Sequence, residues 1–144
     1  MSADPFPLGT LVYLYIGSSD VTADLAWYDE AMGGDLLWRF NAFGADVAAV
    51  RIGVGTGPLV LLADHRPVPS CLPIWSVRSM SASVEWLQAT GWWETATAVG
   101  VPDGPCVVLR DPSGNELALL QQDRPDAMQQ AFDDMTNPRA VRRR

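Results

Sequence analysis

Asp111-Pro112-Ser113-Gly114-Asn115-Glu116-Leu117-Ala118-Leu119-Leu120-Gln121 closes the body of this chain. Pro112 and Gly114 suit a tight turn, Asp111 and Asn115 can hydrogen-bond its backbone, and the apolar run behind them reads as a strand. The surrounding sequence has an earlier counterpart. A shift of 59 positions carries Val21, Ala23, Leu25, Trp27 and Tyr28 onto Met80, Ala82, Val84, Trp86 and Leu87, and carries Arg51 and Gly55 onto Arg110 and Gly114. One offset that serves two separate stretches implies two similar supersecondary units closing on each other. Function is then expected between them.

Local patterning gives both units the same order. Leu11 to Ile16 is a β-rich run; Asp20 and its polar neighbours can cap a helix whose apolar stripe is Val21, Leu25, Tyr28 and Met32, and Gly33-Gly34 ends it. Strand-like runs follow near 36–43, 45–52 and 59–63. Gly53-Val54-Gly55-Thr56-Gly57 lies between two of them, so it reads as a hairpin turn and not as a phosphate loop, which would need a following helix. After a Pro-rich linker over 66–73, the pattern recurs. A strand over 73–77 is followed by a helix capped at Ser79 or Ser81 and ended by Gly91, then by strands near 92–99, 106–110 and 117–121. Pro125 to Met135 reads as a short helix with Ala127, Met128, Ala131 and Phe132 inward.

Composition excludes several classes. A 144-residue chain with 48% hydrophobic residues can bury a core without disulfides or metal. No apolar run approaches the roughly 18 residues that span a bilayer, and the first residues lack a basic and apolar leader pattern, so a cytoplasmic location is expected. Cys71 and Cys106 are too few for a disulfide framework and read as reduced thiols. The net charge is −7, and residues 1–124 hold six arginines against fourteen acids. That balance argues against nucleic acid and suits a cationic ligand.

Two βαβββ units with a closing Asp111-Pro112-Ser113-Gly114-Asn115 turn resemble the vicinal oxygen chelate superfamily, which contains glyoxalase I, extradiol dioxygenases and bleomycin-resistance proteins. The resemblance implies an α+β fold in which two half-barrels, about 10–64 and 72–122, form a single domain within 1–144, with a helical extension over 125–144. In metal-dependent members, His and Glu ligands come from the first and last strands of each unit. Those positions fall here at Leu11, Leu59, Leu72 and Ala118, and alkyl groups offer a metal no donor. The chain therefore resembles a metal-free branch, with no metal or other cofactor and no catalytic residue assigned.

The same concave face suits an organic molecule. Alternation places Val12, Leu14 and Ile16 under the helix and turns Leu11, Tyr13 and Tyr15 toward the cavity. Trp38 and Phe40 on the second strand, with Trp93 or Trp92 on its repeat, extend an aromatic wall suited to planar or cationic ligands. Trp27 and Trp86 are expected to pack, and Trp75 to face its helix. His65 reads as a surface residue. The ligand-binding expectations are Tyr13, Tyr15, Trp38, Phe40, Trp93 and Glu116.

The resemblance to the bleomycin-resistance branch implies a homodimer that sequesters a small organic ligand, such as an antibiotic or natural product, with neither membrane nor nucleic-acid partners. A second reading is a related lyase, isomerase or oxidoreductase working without metal, with Tyr13, Tyr15, His65 or Glu116 as acid or base. A third is a cavity plugged by its own side chains.

Overall fold

A computed structural model describes residues 8–91 and 97–142. The strands are β1 (Leu8–Gly17), β2 (Asp35–Ala42), β3 (Ala45–Arg51), β4 (Leu59–Ala63), β5 (Cys71–Val77), β6 (Thr97–Val101), β7 (Gly104–Arg110) and β8 (Glu116–Leu120). The helices are α1 (Val21–Met32), α2 (Met80–Thr90) and α3 (Ala127–Asp133). All strands join one eight-stranded sheet in the order β2-β3-β4-β1-β5-β8-β7-β6. Each half repeats the other: β1 pairs in parallel with β4 as β5 does with β8, and β1 and β5 join the halves antiparallel. This is the α+β architecture of two βαβββ units that the repeat predicts and the family resemblance implies.

The helices start and stop for the expected local reasons. The Asp20 carboxylate accepts the Ala23 N–H at 3.1 Å, and the Ser79 hydroxyl accepts that of Ala82 at 3.1 Å. Gly33 and Gly91 take left-handed conformations at the C-termini, where a side chain would be strained. In the closing turn, the Asp111 carboxylate accepts the N–H groups of Ser113 and Asn115 at 3.0 and 2.9 Å and the Asn115 amide at 3.0 Å. Those bonds, the Asn115 side chain first, hold the Asp111 carboxyl below its ordinary range. The turn is thus held together by its own side chains.

Side-chain alternation sorts the apolar residues into three clusters. Val21 and Leu25 of α1 pack on Ala48, Val50, Val60 and Leu62. Met80 and Leu87 of α2 pack with Trp75 on Val77, Val107, Leu109 and Leu119. The third cluster covers the concave face and includes Tyr13, Trp38, Phe40, Ala49, Leu61, Leu72, Ile74, Cys106, Ala118 and Leu120. Met128, Ala131 and Phe132 of α3 cover this cluster, Phe132 edge-on to Phe40. The chain then runs beside β2, where Asn41 N–H donates to Arg139 O at 2.9 Å and Val141 N–H to Arg39 O at 2.8 Å.

Two packing expectations are overturned. Trp27 and Trp86 are 55% and 41% exposed, because the helices turn Val21 and Leu25, or Ser83 and Leu87, to the sheet. Val12 packs against the concave cluster and not under α1, because a register irregularity between Leu11 and Tyr13 breaks strict alternation. Among the described residues, no helix is long and apolar enough to cross a membrane.

Candidate functional site

The concave face lines a partly open cavity of about 210 Å³. Tyr13 and Tyr15 enter it from β1, Trp38 and Phe40 from β2, Leu61 from β4, Ile74 from β5, Cys106 from β7 and Leu120 from β8, while Met128 of α3 closes one side. Alternation brings these groups to one face; Arg39, between Trp38 and Phe40, points to the other. There its guanidinium donates to both Asp46 carboxylate oxygens at 2.9 and 2.6 Å and to Thr22 Oγ1 at 3.0 Å.

The hairpin joining β6 to β7 adds the polar group that sequence reasoning missed. Asp103 lines the cavity at 4% exposure, and its Oδ2 accepts the Tyr13 hydroxyl at 2.7 Å and the Gln122 amide at 3.4 Å. Val101-Pro102-Asp103-Gly104-Pro105 has the composition of an ordinary exposed turn, in which Asp needs no further explanation. What turns it inward is Gly104: at φ 148° its absent Cβ leaves room for Gln121 O, which a side-chain carbon would meet at 2.1 Å. The Arg124 N–H then bonds Asp103 O at 2.9 Å and fixes the hairpin against the chain beyond β8.

Burial, and next the hydrogen bond and charge of Asp103, hold the Tyr13 phenol far above its ordinary range. Tyr13 is consequently a neutral donor at physiological pH. Burial pushes Tyr15 up to about 12, and burial followed by the charge of Asp103 pushes the Cys106 thiol up to about 11. Cys106 is thus a protonated, packed group. Cys71 is exposed.

A second polar pair stands at the other end of the face. Tyr15 Oη lies 3.0 Å from His65 Nε2, and the Arg66 guanidinium lies over the Tyr15 ring at 5.9 Å. His65 is exposed but touches a wall residue, so the loop after β4 does reach the cavity rim. Glu116 is misplaced in the sequence reading. It is not among the cavity's lining residues; as the first residue of β8 it is exposed, 3.9 Å from both Arg66 and Arg110, two residues short of Ala118. Trp92 and Trp93 lie outside the described residues.

The strand pairing also corrects the metal positions. Leu59 is opposite Tyr13, and Ala118 is opposite Ile74, so Tyr13 and Ile74 take the places assigned to Leu11 and Leu72. Two alkyl chains, one methyl group and a phenol committed to Asp103 do not make a donor set for a transition metal. The fold family's metal does not fit these residues. Among the described residues no group of three or more His, Cys, Asp or Glu side chains could hold one.

No family model matches the chain, and no curated protein does. Solved structures do. Methylmalonyl-CoA epimerase from Mycobacterium tuberculosis superposes with a TM-score of 0.67 at 16% identity, covering 86% of this chain and 95% of its own. A hypothetical protein from Bacillus halodurans gives 0.63 at 14%, covering 80% and 95%. Streptomyces coelicolor methylmalonyl-CoA epimerase in complex with 2-nitronate-propionyl-CoA gives 0.64 at 13%, covering 81% and 96%. At such identities the likeness establishes the vicinal oxygen chelate fold.

Proposed function

We propose that the chain is a metal-independent enzyme of this fold that moves a proton on a small organic substrate in the cavity, with Asp103 as proton acceptor and Tyr13 as its hydrogen-bonded partner. The observation that carries this reading is the 2.7 Å bond between the Tyr13 hydroxyl and a carboxylate of 4% exposure inside an apolar cavity. Burying a carboxylate opposes folding unless donors or a ligand compensate it. An apolar pocket with a few convergent polar groups is the usual form of a site of binding or chemistry. That the superposing structures include epimerases supports catalysis over the sequestration expected from sequence.

The step follows from the groups present. A substrate C–H activated by a neighbouring electron-withdrawing group loses its proton to the Asp103 carboxylate, and the C–H electron pair stays on the substrate. Return of that proton regenerates the carboxylate. Tyr13 remains neutral throughout and orients Asp103. The test is deuterium incorporation from heavy water into a panel of small carbonyl and amine compounds, followed by proton NMR. Wild-type protein should catalyse exchange in at least one compound, and Asp103→Asn should lower that rate by about a hundredfold or more. Exchange no faster than in buffer, or unchanged in the variant, discards the reading.

Sequestration of the bleomycin-resistance type is kept as a second reading because Tyr13, Tyr15, Trp38 and Phe40 make the cavity wall largely aromatic. It calls for an organic molecule retained through purification with no turnover. Native mass spectrometry detects such an adduct and in the same spectrum reports whether two chains pair.

A further inference from the structure

We propose that the occupant of the cavity is an organic cation, its positive charge seated against Asp103 and its apolar body against Tyr13, Trp38 and Phe40. This names the substrate class of the site read above and rests on that site being the place of binding.

The argument begins with an unbalanced charge. Asp103 is held by two neutral donors, Tyr13 and Gln122, and among the described residues no arginine or histidine pairs with it. The chain has no lysine at all. Arg124, close by along the chain, spends its Nε–H on Pro102 O at 3.0 Å and its backbone N–H on Asp103 O at 2.9 Å, so it braces the hairpin's backbone. A carboxylate with no countercharge attracts a cation and repels an anion, and a lower local dielectric strengthens both effects.

Two further observations point the same way. After burial, Asp103 contributes to raising both the Tyr13 phenol, by hydrogen bond and charge, and the Cys106 thiol, by charge, and these two groups reach the cavity from different strands. Four aromatic side chains line that space and give the apolar body of such an occupant its contact area. At about 210 Å³ the cavity lies below the range for drug-sized ligands and suits a single ring on a short arm.

Three soluble probes of nearly equal shape test the charge directly: benzylammonium, benzyl alcohol and benzoate, titrated at neutral pH into the whole chain. The Met128 methyl signal reports occupancy of the cavity, so that loose association of cations with the acidic exterior is not counted. Benzylammonium should bind at least about tenfold more tightly than benzyl alcohol, with benzoate weakest, and Asp103→Asn should erase the preference while still binding the alcohol. If the alcohol binds as well as the ammonium, or if the preference survives Asp103→Asn, the cation proposal is wrong while the cavity remains a binding site. If none of the three perturbs Met128, both the proposal and the cavity as binding site fail. The wild-type comparison decides even if Asp103→Asn does not fold.

Discussion

The first half of the molecule turns its β2–β3 hairpin at Phe43-Gly44, a tip in open solvent, and the second turns the equivalent β6–β7 hairpin at Pro102-Asp103, whose carboxylate is buried. The same topology thus delivers an aromatic wall from one side, Trp38 and Phe40, and a charge from the other, Asp103. The first hairpin is also pinned on its outer face by the buried Arg39–Asp46 pair, whereas the 59-residue offset places Ala98 and Pro105 at those positions in the second. A repeat conserves the path of the backbone and leaves each copy free to specialise in what it points inward.

The division between wall and charge is open to a direct break. Trp38→Ala should cost about 3–5 kcal/mol in chemical denaturation, since it removes a 5%-exposed ring from the concave cluster, and should weaken benzylammonium and benzyl alcohol alike. Asp103→Asn should change stability by about 1 kcal/mol or less, because the amide oxygen can still accept from Tyr13. A variant at Trp38 that altered charge preference, or one at Asp103 that weakened both probes equally, would show the two roles to be mixed.

The pin comes next. Asp46→Ala leaves the Arg39 guanidinium, 7% exposed in its side chain, without its carboxylate and should cost about 3 kcal/mol. Pro105→Ala at the corresponding place should stay within about 1 kcal/mol. Equal losses would mean that the halves are braced alike by something other than this pair.

Much of the fold was legible because it is written in local chemistry. Asp20, Ser79, Gly33, Gly91 and the Asp111–Asn115 turn act within a few residues of themselves, so spacing alone located them. The aromatic side of the cavity was legible for a similar reason: Tyr13 with Tyr15, and Trp38 with Phe40, obey period-two alternation. Asp103 was not, since its burial depends on Gly104 approaching Gln121, a contact 17 residues apart that no pattern announces. Glu116 failed in the opposite direction: it lies one residue before the predicted strand and heads the observed one, where Arg66 and Arg110 meet it. Strand register likewise moved the presumed metal positions by two residues, which sequence counting could not detect.

The two hairpin glycines give a smaller test of the same contrast. Gly44 and Gly104 both have positive φ, 76° and 148°, but a Cβ on Gly44 meets nothing while one on Gly104 collides with Gln121 O. Gly44→Ala should cost about 1 kcal/mol of backbone strain. Gly104→Ala should cost at least about 2 kcal/mol and should also abolish the cation preference, because the hairpin must withdraw and take Asp103 with it. Loss of stability with the preference intact would mean that Asp103 is positioned by Arg124 and Gln122 alone.

The phenols offer the mildest probe, since they can be read without disturbing a side chain. Tyr13, Tyr15 and Tyr28 are the three tyrosines, and each is raised, burial being the first cause in every case. A phenol is neutral below its pKa, so a raised value in the folded state means stability that is fully present below the unfolded value near 10 and lost as pH rises through the folded one. Ultraviolet titration of the phenolate band should show Tyr28 ionising first, Tyr15 near 12, and Tyr13 only as the fold gives way. Tyr15→Phe should remove the middle step. Asp103→Asn should bring Tyr13 down, because after burial the hydrogen bond and charge of Asp103 are what raise it, whereas no change at Phe43 or Gly44 should move either phenol. If Tyr13 ionised no later than Tyr15, or ignored the loss of Asp103, the charge would not be facing the cavity and the contrast between the two hairpins would lose its electrostatic content.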